Sequence, residues 1–337
     1  MTFERHHDAG TTMSMADSYS LNKSEINFTA PMSERHPPSS VLPAGVQRLV
    51  TASLSEASKR AYRLDIAHFE GTGRRLPATP ETVASYLAEG AETYAVATLQ
   101  RRLASISKAH RALGVDDPTK SELVRATLRG VRRTLGFKQR QAQALLRADL
   151  FAVLDLLGDR TKDHRDRAML LLGWACAMRR SELVALDVED IEFTGQGALV
   201  TIRRSKTDQE GRGREIAVPF GRTRHCPVAA LKHWLEVAGI ETGAIFPSMD
   251  KHGNILPERV TGEVVTDVLK ARVSAAGYDP SGFSAHSLRS GFATSAAMAG
   301  ATSHKIREVT GHRSEAGLAP YLRTVNLFTD SAAARVL

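Results

Sequence analysis

One stretch of this chain departs from the pattern of the rest. GALVTIRRSK (Gly197–Lys206) and GREIAVP (Gly213–Pro219) alternate with β-branched residues, and a polar, glycine-bearing connection joins them. That is the signature of a β-hairpin. Almost everywhere else apolar residues recur at three- and four-residue intervals, the spacing of one helix face. A chain with one hairpin among many amphipathic segments is therefore expected to be mainly α with a small antiparallel β-sheet. At 337 residues it is long enough for two domains with real cores.

The helical segments carry start and stop signals. SEASKRAYRLDIAHFE (Ser55–Glu70) places Ser55 as an N-cap, and ATPETVASYLAEG has Thr79 capping, Pro80 in the first turn and Gly90 at the stop. VATLQRRLASISKAHRALG lines up Leu99, Leu103, Ile106 and Leu113 on one side, with Arg101, Arg102, Lys108 and Arg111 elsewhere. SELVRATLRGVRRTLG is a further helix, bearing Arg125, Arg129, Arg132 and Arg133. FKQRQAQALLRADL reads as a linker passing into a new helix, with the domain boundary near Gln141. In DHRDRAMLLLGWACAMRRSELVALD the apolar middle is too long for one surface helix. A buried helix, a turn near Ala177 and a second helix from Ser181 are expected. After the hairpin the segments CPVAALKHWLEVAG, ERVTGEVVTDVLKARVSAAG, HSLRSGFATSAAMAG, SHKIREVTG and LFTDSAAARVL all read as helix.

Residues 1–40, rich in Ser, Met, His and Pro, show no sustained period and read as a mobile tail. Residues 41–140 then form a helical domain and 141–337 a second domain. No run approaches eighteen uncharged apolar residues, so no membrane span is expected, and MTFERHHDAG lacks the apolar region of a secretory signal. Two cysteines, Cys176 and Cys226, make no disulfide framework, and a reducing cytoplasm is the simplest setting. His225–Cys226 has no companion cysteine pair, so no metal site is expected. GTGRRL follows no strand and is no nucleotide fingerprint, and no cofactor is implied.

The net charge is +8, and its distribution is uneven: twelve Lys or Arg against three Asp or Glu lie between Thr98 and Arg147. So concentrated an excess suits a polyanionic partner, although solvated helix faces are the plain alternative.

Near the C-terminus HSLR (His286–Arg289), GHR (Gly311–Arg313) and PYLR (Pro320–Arg323) follow one another, with Tyr321 nine residues after His312. Upstream, MRRSEL holds Arg179 and Glu182 three residues apart, and Lys206 sits at the hairpin tip. Two arginines, a lysine, two histidines and a tyrosine suit phosphate chemistry. A guanidinium fork grips two phosphate oxygens, and fixed cations stabilise charge developing in a transition state. A free tyrosine is only about 0.1% phenolate at neutral pH, and adjacent arginines favour the anion. Singly, each residue has an ordinary reading. Tyr321 packs at a helix end, Arg179 and Glu182 form an exposed ion pair worth about 0.3–0.5 kcal/mol, Lys206 is a solvated turn lysine and His286 is structural.

Taken in order, RxSEL, the hairpin lysine, HxLR, GH and the tyrosine resemble the tyrosine recombinase (phage integrase) family from about Arg147 to Leu337. The resemblance implies a two-domain DNA clamp, a helical core-binding domain followed by a catalytic domain. It implies that Tyr321 attacks a DNA phosphodiester and forms a 3′-phosphotyrosyl link, freeing a 5′-hydroxyl. Arg179 and Arg289 would clamp the non-bridging oxygens, Lys206 would protonate the leaving oxygen, His286 would take the tyrosine proton, His312 would bond the phosphate and Glu182 would orient the group. RxSEL selects Arg179 over the adjacent Arg180.

For the helical domain the resemblance suggests phosphate contacts from Arg101, Arg102, Lys108, Arg132 and Arg133, and base contacts from Gln100 and Arg101. The implied partner is double-stranded DNA with inverted-repeat recombination sites, bound by a homotetramer that assembles on two sites through the C-terminal helix, with Leu327, Phe328, Val336 and Leu337 as its apolar residues. The setting would be cytoplasmic, at the nucleoid. A DNA-relaxing enzyme of the type IB topoisomerase kind and a catalytically inactive DNA-binding regulator are the competing readings.

Overall fold

The computed structural model describes residues 45, 48–49, 52–136, 142–203 and 213–329, with side chains as far as 322. The tail 1–40, Lys206, Val336 and Leu337 lie outside the described residues, and the side chains of Leu327 and Phe328 are not described. Contacts divide the chain between residues 140 and 141 into two compact units.

The N-terminal unit is helical throughout: α1 (Glu56–Gly71), α2 (Pro80–Gly90), α3 (Val96–Ala112) and α4 (Glu122–Leu135). Each cap residue does local work. Ser55, Thr79 and Ser121 accept from the N–H groups of Ser58, Thr82 and Val124, satisfying donors that a first turn leaves open. Helix α1 packs on α3 and α2 on α4, over a core that includes Phe69, Leu87, Leu99, Ile106 and Val124. His110 is fully buried and structural: with Nδ1–H donating to the Ile106 carbonyl (2.9 Å), its Nε2 accepts from the Ala78 N–H (2.8 Å).

The C-terminal unit contains α5 (Arg147–Asp155), α6 (Thr161–Ala175), α7 (Arg180–Val184), strands β1 (Ile191–Thr194), β2 (Gly197–Ile202) and β3 (Arg214–Pro219), and α8 (Pro227–Ala238). Strands β4 (Pro247–Met249) and β5 (Ile255–Arg259), then α9 (Gly262–Ala275), α10 (His286–Met298), α11 (Ser303–Thr310) and α12 (Glu315–Thr329), complete it. The sheet order is β1-β2-β3, antiparallel, with Ile202 opposite Arg214 at the end where the segment carrying Lys206 leaves. Leu150, Leu170, Trp234, Phe246, Leu269 and Leu288 belong to one core.

Three sequence expectations change. Strand β1 extends the hairpin into a three-stranded sheet. Glu258 and Arg259, read as helical, belong to β5 of a second antiparallel pair, and the helix starts at Gly262. Tyr321 stands inside α12 rather than at a helix end. The turn near Ala177 is present and takes an unusual form: Ala177 is buried with φ 47°, left-handed backbone that a residue with a Cβ rarely adopts.

Candidate active site

Two turns, at Ala177 and Gly311, help deliver the polar side chains of the C-terminal unit to one place. The left-handed turn at Ala177 ends α6 and points its carbonyl at Arg289, whose Nη1 donates to it at 2.8 Å. Arg289 is 1% exposed, the most deeply buried guanidinium of the site. Burial, then the charge of Arg179, brings its pKa down from the usual range to about 10.

The same turn leads into α7 with Arg179 at the N-cap. Glu182 reaches back to the Arg179 N–H (3.1 Å) and accepts from Arg179 Nη1 at 2.6 Å. Arg180 points elsewhere, toward the exposed Glu263 at 3.4 Å. Arg179 is therefore the residue that faces the site.

Glu182 is shared. Arg214, the first residue of β3, donates Nη2 to Glu182 Oε2 (3.1 Å) and Nη1 to the Thr310 carbonyl (3.2 Å). Burial is the largest influence on Arg214 and depresses its pKa. Its guanidinium lies against Gly311, which caps α11 at φ 66°. Both the backbone angle and the neighbouring cation call for glycine there. Sequence reasoning missed Arg214. Its only sequence signal is its place at the base of the hairpin that carries Lys206.

Gly311 turns the chain so that His312 follows immediately. Gly317 on α12 packs near this ring, where an added Cβ would lie 3.3 Å from His312 Cδ2. His312 Nδ1 is 2.8 Å from the Thr310 hydroxyl, and Nε2 is 3.4 Å from Arg289 Nη2. Burial first, then Arg289 and Arg179, hold the His312 pKa down at about 4. Tyr321 hydroxyl and His286 Nε2 are 2.7 Å apart. Although His286 has an exposed edge, loss of solvent and then Arg289 and Arg179 lower its pKa, leaving the ring neutral near pH 7 and able to accept the phenol proton.

One sequence expectation is reversed at the tyrosine. Arg289 and Arg179 do favour the phenolate, but burial outweighs them and the Tyr321 pKa is raised. Tyr321 is thus a protonated phenol hydrogen-bonded to a neutral base.

In the N-terminal unit the sequence-selected residues separate by burial. Arg133 is exposed. Lys108 is half-buried, its ammonium 5.6 Å from the centre of the Tyr62 ring. Arg101 is partly exposed and held by the buried Asp65 at 2.6 Å. Gln100, with its amide oriented as its neighbours require, accepts from Arg132 Nε at 3.2 Å and from Arg132 Nη2.

Arg102 departs from expectation. It is 7% exposed and stacks 3.8 Å above the Tyr94 ring, and Asp65 is 4.0 Å away. Burial under Tyr94 makes it an internal cation rather than a surface phosphate contact. Among the described residues no group of three or more His, Cys, Asp or Glu could hold a metal ion, and no helix is long and apolar enough to cross a membrane.

Comparisons with known proteins agree with this geometry. The model of the phage integrase family matches residues 139–326. An integrase/recombinase xerD homolog of Selenomonas ruminantium is 35% identical over 300 residues, 86% of this chain and 88% of that protein. Recombinase cre of Escherichia phage P1 is 29% identical over 271 residues, 74% of this chain and 77% of that one. In fold, the chain is similar to XerH site-specific recombinase bound to a palindromic difH substrate, with TM-score 0.62, 18% identity, and 86% and 82% of the two chains covered. It is also similar to a lambda integrase dimer bound to a COC' core site, with TM-score 0.60, 18% identity, and 82% and 74% covered. Sequence and fold together make this chain a member of the phage integrase family of tyrosine recombinases.

Proposed function

We propose that the chain is a site-specific DNA recombinase that cleaves and rejoins duplex DNA through Tyr321 and exchanges strands between two sites. The observation that carries this reading is the 2.7 Å contact between the Tyr321 hydroxyl and His286 Nε2, beside the buried Arg289. A phenol with a raised pKa is not a standing nucleophile. Its proton passes to His286 as the oxygen attacks, so base catalysis and bond formation belong to one step.

The Tyr321 oxygen forms a bond to phosphorus, the bond from phosphorus to the 5′-oxygen breaks, and the departing oxygen takes a proton. Lys206 is assigned that proton transfer on the family resemblance. Arg179 and Arg289 bind the non-bridging oxygens, His312 bonds the phosphate, and Glu182 holds Arg179 and Arg214 in place. Rejoining reverses the step with a DNA hydroxyl as nucleophile. The phosphotyrosyl ester retains the bond energy, so no nucleotide is consumed.

The helical unit, residues 41–140, supplies phosphate contacts through Arg101, Lys108, Arg132 and Arg133. Gln100 and Arg101 are the candidate base readers. On the family resemblance we assign inverted-repeat recombination sites, a homotetramer formed on two of them through the C-terminal helix, and a cytoplasmic, nucleoid-associated setting.

The test is a supercoiled plasmid carrying two copies of the protein's site, taken from DNA flanking its coding region. Resolved circles support recombination. Relaxed circles alone would favour a topoisomerase-like enzyme, and shifted but intact DNA a regulator. Tyr321→Phe should retain binding and lose every covalent adduct. An adduct that survives in that variant would assign the nucleophile elsewhere.

A further inference from the structure

The bonds around His312 settle which of its nitrogens carries the proton. Arg289 has only N–H donors, and its Nη2 faces His312 Nε2 at 3.4 Å. Nε2 must therefore present its lone pair. A neutral imidazole has one N–H, which is then on Nδ1, and that N–H donates to the Thr310 hydroxyl at 2.8 Å. The single hydroxyl hydrogen of Thr310 goes to the Ile306 carbonyl, also at 2.8 Å. Each donor in this chain of three bonds has an acceptor in one tautomer only. Thr310 is fully buried as the last residue of α11, so its hydroxyl has no water to turn toward.

This arrangement faces the wrong way for the anion the site is assigned. Nε2 offers a lone pair to the space before Arg289, and a phosphate oxygen offers lone pairs too. Two acceptors meet without a hydrogen between them. Among the described residues, the charged and titratable groups that bear on the ring are Arg289 and His286 from α10, Tyr321 from α12, Arg179 at the start of α7 and Arg214 from β3. Within α11, Arg307 donates to the His312 backbone carbonyl at 3.2 Å. Burial first, and then these cations, keep the ring neutral, and an anion placed among them acts in the opposite sense. The Nδ1–H bond to Thr310 is already the one an imidazolium needs, so only the Nε2 proton has to be added.

We infer that Thr310 is a positioning residue that fixes His312 in the Nδ1–H tautomer, so that engagement of a tetrahedral anion in this pocket draws a proton onto His312 Nε2. The inference rests on the phosphate-binding reading of the pocket but not on DNA cleavage. It separates two roles: His286 accepts a proton from the nucleophile, whereas His312 must gain one before it can bond the phosphate.

The test uses the full chain, labelled with nitrogen-15 at histidine, and sulfate, an anion that does not titrate near neutral pH. His312 is assigned by the resonance lost in His312→Gln. Without sulfate at pH 7, Nδ1 should carry the proton and Nε2 should be pyridine-like. Saturating sulfate should raise the proton affinity of His312 by about tenfold or more. Thr310→Val should mix the tautomers and shrink the sulfate effect, and Thr310→Ser should restore both. A pyridine-like Nδ1 in the free protein would overturn the inference, even if Thr310→Val does not fold. So would a sulfate-saturated protein in which His312 titrates as before, or a Thr310→Val spectrum identical to the wild type. Loss of the inference on these grounds leaves the Tyr321 adduct untouched, and absence of the adduct leaves the tautomer measurement untouched.

Discussion

Two clusters of buried charge in the C-terminal unit are both built from arginines and carboxylates, and they behave oppositely. Between α6 and α9, Asp163 and Asp166 meet Arg272, each at 2.6 Å, and Arg165 adds a 2.8 Å contact to Asp166. Two carboxylates face two enclosed guanidiniums, with Arg160 at the rim 3.0 Å from Asp163. Burial works against the Asp163 carboxylate, yet the hydrogen bonds from Arg160 and Arg272 prevail and its pKa falls. In the active site, Arg179, Arg214 and Arg289 surround one carboxylate, Glu182. Among the described residues, Arg289 has no ion pair of its own. There the cations are the groups in an unfavourable environment, and the Arg289 and Arg214 pKa values drop. A balanced cluster joins helices, whereas the second, among the described residues, holds more cations than carboxylates and suits an anion from outside.

The largest expected effect breaks the balanced cluster. Arg272→Met leaves Asp163 and Asp166 buried without their main partner and should cost about 3–5 kcal/mol of stability, read by urea or thermal unfolding. Arg289→Met should act chiefly on the chemistry. Cleavage should fall by about 10²–10³, the usual loss of one fixed donor to a developing charge. Stability should fall by no more than about 1–3 kcal/mol, because the Ala177 carbonyl loses its partner while a crowded cation disappears. Equal stability losses in the two variants would erase the distinction drawn between the clusters.

Acid sharpens the same contrast. The His312 pKa in the folded chain, about 4, lies below its ordinary value, 6.5. The unfolded chain therefore binds the proton more readily. The stability that comes from keeping this ring neutral is complete above about pH 6.5 and is lost as pH falls toward 4. His286 contributes in the same direction. Thermal melts of the wild type should drop between pH 7 and pH 5 by more than those of His312→Gln. A parallel decline would show that the ring is not the group taking up the proton. At fixed pH, sulfate should raise the melting temperature of the wild type but not of Arg289→Met, since an anion that binds only the folded state stabilises it.

Much of this was legible in the sequence, and the exceptions have physical causes. Ser55 and Thr79 announce helix starts because a cap acts within its own first turn. The hairpin showed because β-branched residues recur on both sides of one polar connection. The four-residue β1 and the three-residue β4 are too short for a period of two to register, and their pairing partners define them. RxSEL could be placed in register by its internal spacing, whereas Arg214 and Thr310 enter the site only when β3 and α11 pack beside α7. Arg102 misled by its residue type: it stands three residues after Leu99 and four before Ile106, on the buried face of α3, where its guanidinium stacks on Tyr94. The tyrosine's state went wrong where two influences of opposite sign had to be weighed, because residue types reveal the neighbouring charges but not the degree of burial.

The smallest expected effect tests that lesson on α3 and α4, where charge is spread over helix faces rather than gathered in a pocket. Arg133 is exposed on α4 and Arg102 is enclosed under Tyr94. An exposed arginine that meets a phosphate releases about one counterion, so Arg133→Ala should lower the salt slope of DNA affinity by about 0.9 and leave the melting temperature where it was. Arg102→Ala should leave the slope unchanged and lower the melting temperature, since it removes a cation stacked on an aromatic ring within the unit. If Arg102→Ala flattens the salt slope while Arg133→Ala does nothing, burial in the free protein is a poor guide to which cations DNA reaches, and the N-terminal unit must open its Tyr94 contact when it binds.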